Sequence, residues 1–296
     1  MTGAAREERS RSMLSTVEDE VLHMIDLALL EDRGPGDLTS RWIVPARSRL
    51  RARVIAKSDG IVAGLTPSLA VFVRLDGRIT TNRLAEEGQK VAPGDVLYEL
   101  KGPARAILTG ERVALNFLQR LSGVATLTRR YIDAVAGTGV KILDTRKTTP
   151  AWRTLEKAAV VAGGGVNHRR GLFDAVLIKE NHIAMAGGAK EALGRVAENN
   201  VRGLTVTIEV RTLDELDEVL AAGTDRVLLD NMDLDTMRTA VQRTRNADAA
   251  IEIEASGNMT LDRVRDVAAT GVDCISVGAL THSATALDVS LQVVTP

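Results

Sequence analysis

The chain has 296 residues, a formal net charge of -1, 45% hydrophobic and 26% charged residues, and only 2% aromatics. That length holds one large domain or two modest ones, with a core built from Val, Leu, Ile and Ala. The near-neutral balance excludes a general nucleic-acid or membrane surface, and no apolar stretch approaches the roughly 18 residues needed to span a bilayer. Residues 1–15 are polar and Arg/Glu-rich with no apolar h-region, so they read as a disordered leader rather than a secretory signal. Val17, Val21, Leu22, Ile25 and Leu29 recur at helical spacing and predict an amphipathic helix over 16–30, on which His23 is a surface or packing residue. The turn-forming run Glu31 to Asp37 ends it. Short β-like runs then follow at 51–56, 60–63, 78–82 and 95–100, separated by Gly, Pro and Asp, and predict a small antiparallel sheet. A second helix is predicted over 109–135, with Ala114, Leu115, Leu118, Leu121, Ala125 and Leu127 apolar.

After Gly139 the texture becomes a regular alternation of strand and helix. Strands are predicted at 140–143, 175–178, 204–208, 227–229, 250–253 and 272–277. Thr212 to Glu215 is a capping box that opens one helix and Gly223 is placed to close it; Asp262 sits in the first turn of another, which Gly271 ends. Such alternation indicates a parallel sheet closed or nearly closed into a barrel, and six countable strands leave an incomplete barrel and the eight-stranded form equally open. The single cysteine, Cys274, lies in the last of these runs and reads as a buried structural thiol; one cysteine excludes an internal disulfide and fits a reducing cytoplasm.

Almost every one of these strands stops at a polar or charged residue: Asp144 with Arg146 and Lys147, then Lys179, Glu209, Asp230, Glu254 with Ser256, and Ser276. Catalytic groups of barrels gather at the C-terminal ends of strands, where loops from many strands converge. Residues 144–183 also concentrate Arg146, Lys147, His168, Arg169, Arg170, Lys179 and His182 in a chain that is nearly neutral overall. Cations packed so closely repel one another unless an anion sits among them. The pattern therefore points to a pocket for a phosphate, a pyrophosphate or a multi-carboxylate, gripped through charge-assisted bonds.

Glu209 and Asp230, on neighbouring strands, suit Mg²⁺, which takes one or two protein carboxylates plus phosphate oxygens and water. The small-residue loops Ser256-Gly257-Asn258 and Ser276-Val277-Gly278-Ala279 allow backbone N–H groups to approach a phosphate. Gly163-Gly164-Gly165 lacks P-loop spacing, no Cys/His set has zinc spacing, and no Ser–His–Asp triad has a local signature.

These residues resemble the quinolinate phosphoribosyltransferase family nearly end to end. The resemblance is carried by Glu31-Asp32 to Thr39, Glu111 to Gln119 with Leu121-Ser122-Gly123, and the whole Asp144 to Ile183 region with its DTRKTTP and NHR-x-GL strings. It continues through Ile208-Glu209-Val210, Leu229 to Met232, Glu254 to Asn258 and Ser276-Val277-Gly278. It implies an N-terminal α/β sandwich beside an incomplete, seven-stranded α/β barrel of the type II phosphoribosyltransferase kind. The sandwich would span 16–123, with a tail at 281–296 returning to it, and the barrel 124–280. The implied reaction joins quinolinate to phosphoribosyl pyrophosphate, giving nicotinate mononucleotide, pyrophosphate and CO₂, in de novo NAD biosynthesis. Arg146, His168, Arg169 and Lys179 would surround the quinolinate carboxylates, completed by Arg112 from the partner subunit of a homodimer that can assemble further. Lys147, Glu209 and Asp230 would face phosphoribosyl pyrophosphate and its Mg²⁺, and Ser256-Gly257 with Ser276 and Gly278 would hold the 5′-phosphate. The family usually has Gly-Leu where this chain has Ala151-Trp152, and often an aromatic at Ala159.

Other readings use the same residues differently. Lys179 could form a Schiff base, with Arg146 and Arg169 lowering its basicity, although Glu209 and Asp230 fit metal–phosphate work better. Gly88-x-x-Val91-x-x-Gly94-Asp95-x-Leu97 looks like a biotinyl or lipoyl carrier hairpin, but Lys101-Gly102-Pro103 follows instead of a modifiable lysine in a tight turn. A diverged paralogue acting on another anionic substrate is opposed by retention of Arg112, Arg146, His168 and Arg169.

Overall fold

The computed structural model describes residues 17–294; the leader expected at 1–15 lies outside them. The chain divides into two units, one formed by the residues to Leu127 with Thr154–Gly164 and the chain from Ala284 on, the other by Thr128–Arg153 and Gly165–Ser283.

The first unit is built on a four-stranded antiparallel sheet made of β1 (Arg49–Ala56), β3 (Thr80–Arg83), β5 (Val96–Pro103) and β12 (Val289–Val294), with a small β2 (Gly60–Ile61) and β4 (Lys90–Val91) pair beside it. The sheet order is β12-β1-β5-β3. Along β1 the side chains alternate, Arg51 and Arg53 exposed and Ala52 and Val54 buried, as the two-residue period of a half-covered sheet requires. Its first helix, Asp19–Arg33, buries Val21, Met24, Ile25 and Leu29 and stops at Gly34, whose φ is 50°. Asp37 then N-caps Leu38–Ile43 by accepting the Ser40 N–H at 2.9 Å.

Helix Leu38–Ile43, β4 and two larger features of this unit escape the sequence patterns. Helix Leu65–Leu75 is buried along most of its length, and so short an apolar, Val-containing run reads as a buried strand as readily as a helix. The long helix, Ala104–Ala134, begins five residues before the predicted Thr109. It meets its neighbours through small residues. A Cβ on Gly110 would lie 2.8 Å from Leu75 Cδ1, and one on Gly123 would lie 2.2 Å from the Thr285 carbonyl oxygen. Ser122 both accepts the Ala63 N–H and donates to the Ala63 carbonyl, each at 3.0 Å, so the Leu121-Ser122-Gly123 string is a docking point for the chain after β2. Helix Arg153–Ala162 lies, from Thr154 on, in this unit rather than with the barrel residues that flank it in sequence. Its Glu156 is fully buried and pairs with Arg120 at 3.2 Å.

The second unit is a six-stranded parallel sheet of β6 (Lys141–Leu143), β7 (Val176–Ile178), β8 (Val206–Val210), β9 (Arg226–Asp230), β10 (Glu252–Ser256) and β11 (Cys274–Ser276), in the order β6-β11-β10-β9-β8-β7. A seventh position is a single parallel bridge, Leu143 to Val166, on the free side of β6. The barrel is thus incomplete, as expected, with its seventh strand reduced to one residue. Helices Glu180–Ala186, Ala189–Asn199, Leu213–Ala222, Leu234–Ala247 and Val264–Ala268 provide the crossovers that parallel strands need. Ile208, Val227, Leu229, Ile253 and Ile275 are wholly buried within the sheet. Thr212 caps its helix by accepting the Glu215 N–H, while Glu215 reaches past the cap to the Arg211 N–H at 2.7 Å. Asp262 stands two residues ahead of helix Val264–Ala268 instead of in its first turn.

Candidate active site

The strand ends of the second unit enclose a cavity of about 660 Å³. Arg146, Lys147, His168, Arg169, Lys179, Glu209, Asp230, Ser256, Gly257, Ser276 and Gly278 all line it, every predicted site residue except Arg112. Arg112 is exposed on helix Ala104–Ala134 in the first unit.

The basic side is organised by backbone bonds to buried or half-buried anchors. Asp144, fully buried at the end of β6, accepts the His168 N–H at 2.8 Å and so ties the Asn167–Leu172 loop to the Asp144–Pro150 loop. Asp174 accepts the N–H groups of Arg170 and Gly171. Arg146 and Lys147 are exposed, and among the described residues no carboxylate lies within ion-pair distance of either. Burial and the neighbouring Arg146 push the Arg169 guanidinium below its ordinary value, with Asp174 pulling the other way. This is a cluster of cations with too little counter-charge of its own.

The acidic side faces it. Lys179, at the N-terminus of helix Glu180–Ala186, places Nζ 2.6 Å from Glu209 Oε2. Asp230 ends β9 beside Ser256 and accepts from Asn231 Nδ2 at 2.9 Å, and Asn231 in turn accepts from Asn258 at 3.2 Å. Asn231 and Asn258 both have left-handed backbone, φ 55° and 47°, a conformation asparagine tolerates. Between them Gly257 has φ 92°, and a Cβ there would lie 2.2 Å from Asn231 Oδ1, so only glycine fits.

The floor rests on Glu254, a strand-end carboxylate to which the sequence assigned no role, and on Arg226, which strand-end reasoning passed over. Glu254 is wholly buried. It accepts a hydrogen bond from Ser276 Oγ, its Oε2 lies 2.7 Å from Arg226 Nη2, and His168 Nε2 stands 3.4 Å away. Burial pushes its carboxyl up, but His168, Arg226 and Ser276 outweigh that and hold it below the usual range. Nδ1 of His168 accepts the Arg169 N–H at 2.6 Å, which leaves the ring proton on Nε2, facing Glu254. His168 and Ser276 therefore line the cavity with their polar atoms turned to Glu254. The signal in the sequence was the alternation Glu252, Glu254, Ser256 along β10, which puts three polar groups on one face of an otherwise apolar strand.

Among the described residues no three potential ligands form a metal-binding cluster. Glu209 and Asp230 offer two carboxylates, a set that fits a hydrated Mg²⁺ completed by substrate oxygens better than a protein-enclosed ion.

Two family models match the chain: the N-terminal domain of quinolinate phosphoribosyl transferase over residues 37–122, and its C-terminal domain over 124–292. The chain belongs to the quinolinate phosphoribosyltransferase family. A probable nicotinate-nucleotide pyrophosphorylase (carboxylating) of Bacillus subtilis is 44% identical over 264 residues, covering 89% of this chain and 90% of the relative. The chloroplastic enzyme of the same name from Arabidopsis thaliana is 43% identical, covering 91% and 82%. The solved nicotinate-nucleotide pyrophosphorylase of Francisella tularensis superposes with a TM-score of 0.88 at 41% identity, covering 93% of this chain and 96% of that one. The C-terminal model of the family runs on into β12, which pairs in the sheet of the first unit.

Proposed function

We infer that the chain transfers the phosphoribosyl group of phosphoribosyl pyrophosphate to quinolinate and decarboxylates the adduct, giving nicotinate mononucleotide, pyrophosphate and CO₂ for NAD biosynthesis. The observation that carries this is the cavity's charge: among the described residues Arg146 and Lys147 have no carboxylate within ion-pair distance, and Arg169 has only Asp174 to offset Arg146, opposite Glu209 and Asp230. Two carboxylates, a monophosphate and a pyrophosphate supply the anions this cluster lacks. Arg146, Arg169 and Lys179 take the quinolinate carboxylates through charge-assisted bonds. His168 lines the same side and keeps Arg169 in place through its own ring. Lys147 meets the pyrophosphate, and the loops at Ser256-Gly257 and Ser276 to Gly278 take the 5′-phosphate on backbone N–H groups.

Chemically, the bond from the ribose C1 to pyrophosphate breaks as the pyridine nitrogen forms its own bond there. Glu209 and Asp230 stabilise the positive charge that develops on the sugar. The pyridinium ring then accepts the electron pair of the bond to the adjacent carboxylate, CO₂ departs, and a solvent proton replaces it. No side chain has to remove a proton from carbon. Mg²⁺ on Glu209 and Asp230 would neutralise charge on the leaving pyrophosphate.

The working unit of this reading is a homodimer, in which Arg112 of each protomer completes the dicarboxylate site of the other. Cytoplasmic placement rests on the single, buried cysteine; no helix among the described residues is long and apolar enough to cross a membrane. The deciding experiment is product formation from quinolinate and phosphoribosyl pyrophosphate, with and without Mg²⁺, and nicotinate in parallel. Turnover of quinolinate with CO₂ release, and little of nicotinate, is expected. Folded protein that binds phosphoribosyl pyrophosphate but turns over neither would overturn the reading in favour of a diverged paralogue.

A further inference from the structure

Arg153 stands at the first position of helix Arg153–Ala162, half-buried and without an acidic partner among the described residues. A cation there opposes the helix dipole, whose positive end it crowds. Its guanidinium is used instead as a three-way tie. Nη2 donates to the Arg146 carbonyl at 3.3 Å, Nη1 donates to the Arg170 carbonyl at 3.2 Å, and Nε donates to Thr148 Oγ1 at 3.1 Å. The first and third acceptors belong to the Asp144–Pro150 loop, the second to the Asn167–Leu172 loop.

Those loops carry Arg146 and Arg169, two like charges close enough for one to depress the other. Without an anion they repel, and the spacing between them is what a pair of substrate carboxylates would meet. A planar fork with donors in fixed directions can hold two backbone carbonyls at a set separation, which a lysine ammonium on a flexible stem does not.

We propose that Arg153 is a positioning residue that latches the two basic loops together and so sets the spacing of Arg146 and Arg169 for a dicarboxylate substrate. The proposal rests on the reading of the cavity as a quinolinate site, and its test separates the two. Arg153→Ala and Arg153→Lys are compared with the wild-type chain for kcat and for KM of each substrate, with thermal melts as a folding control. Arg153→Ala is expected to raise KM for quinolinate about tenfold, since each lost bond involves a charged donor, while kcat and KM for phosphoribosyl pyrophosphate move little. Arg153→Lys is expected between the two, and millimolar guanidinium is expected to restore part of the alanine variant's affinity.

Hydrogen–deuterium exchange gives a readout independent of turnover. Faster exchange in Arg153→Ala, confined to residues 144–150 and 167–172, supports the latch even where the wild-type chain fails to use quinolinate, an outcome that sinks the functional reading alone. Equal changes in both KM values, no guanidinium rescue, or unchanged exchange in those loops would overturn the latch. If the alanine variant does not fold, the same comparisons are made on Arg153→Lys.

Discussion

Lys179 Nζ and Glu209 Oε2 stand 2.6 Å apart, so a cation assigned to the quinolinate carboxylates and a carboxylate assigned to the sugar and metal occupy each other. The pair joins the end of β7 to the end of β8 across the cavity mouth. In the proposed reaction, substrate binding would divide it, with Lys179 turning to the dicarboxylate and Glu209 released towards the ribose.

The lysine side chain is about half exposed, so the pair contributes little to folding. Lys179→Ala is therefore expected to leave the melting temperature nearly unchanged while weakening quinolinate binding by about tenfold or more, as loss of a charge-assisted contact implies. Calorimetric titration alongside a thermal melt checks both. A large loss of stability with intact affinity would mean that the pair is structural.

Ala151 has φ 66°, a left-handed backbone that costs a side-chain-bearing residue about 1–2 kcal/mol. It is the position at which the family resemblance leads one to expect glycine. Ala151→Gly removes that cost and is expected to raise stability by roughly 1 kcal/mol, less the added entropy of glycine in the unfolded chain. Denaturant unfolding of the two chains measures it, and a destabilised glycine variant would contradict the strain argument.

Glu254 is buried against Arg226, so its removal leaves that guanidinium with the partly exposed Glu252, 3.2 Å away, as its remaining counter-charge. Glu254→Ala is expected to cost about 3 kcal/mol, the low end for a broken buried pair because Glu252 still faces Arg226, and the double variant Glu254→Leu with Arg226→Leu less, because no buried guanidinium then loses its partner. The pH dependence follows from the depressed carboxyl. A carboxyl held lower in the folded state contributes stability at pH above its unfolded value and loses that contribution as pH falls through the folded value. Acid melts of the wild-type chain should therefore show a loss that the double variant lacks; parallel profiles would remove Glu254 as the cause.

The proposed shared site makes a prediction about mixtures. Arg112→Ala and Lys147→Ala proteins, each inactive alone, are expected to regain activity when mixed, because half of the hybrid dimers' sites carry neither change. A statistical mixture should recover about one quarter of the wild-type rate, if random subunit exchange is complete and sites act independently. No recovery despite demonstrated exchange would place Arg112 outside the site.

Much of the site was legible along the chain because parallel strands broadcast their ends. An apolar run of four or five residues followed by Lys179, Glu209 or Asp230 can only face the loops that leave the sheet, and those residues do line one cavity, while Asp144 at the end of β6 is fully buried. Helices with one wet face, such as Asp19–Arg33, were equally readable from their period. What escaped were short, mostly buried runs: helix Leu65–Leu75 is an apolar stretch too brief for its period to separate it from a buried strand. The partners of the site residues escaped as well. Nothing in the local sequence joins Glu254 to Arg226, or Arg153 to the carbonyls of Arg146 and Arg170. The chain's pattern determined its strands, its barrel and the charge of its pocket, because burial and charge are written residue by residue. Only the folded structure decided which of those charges face a ligand and which are neutralised within, because that depends on distances between segments that the sequence keeps apart.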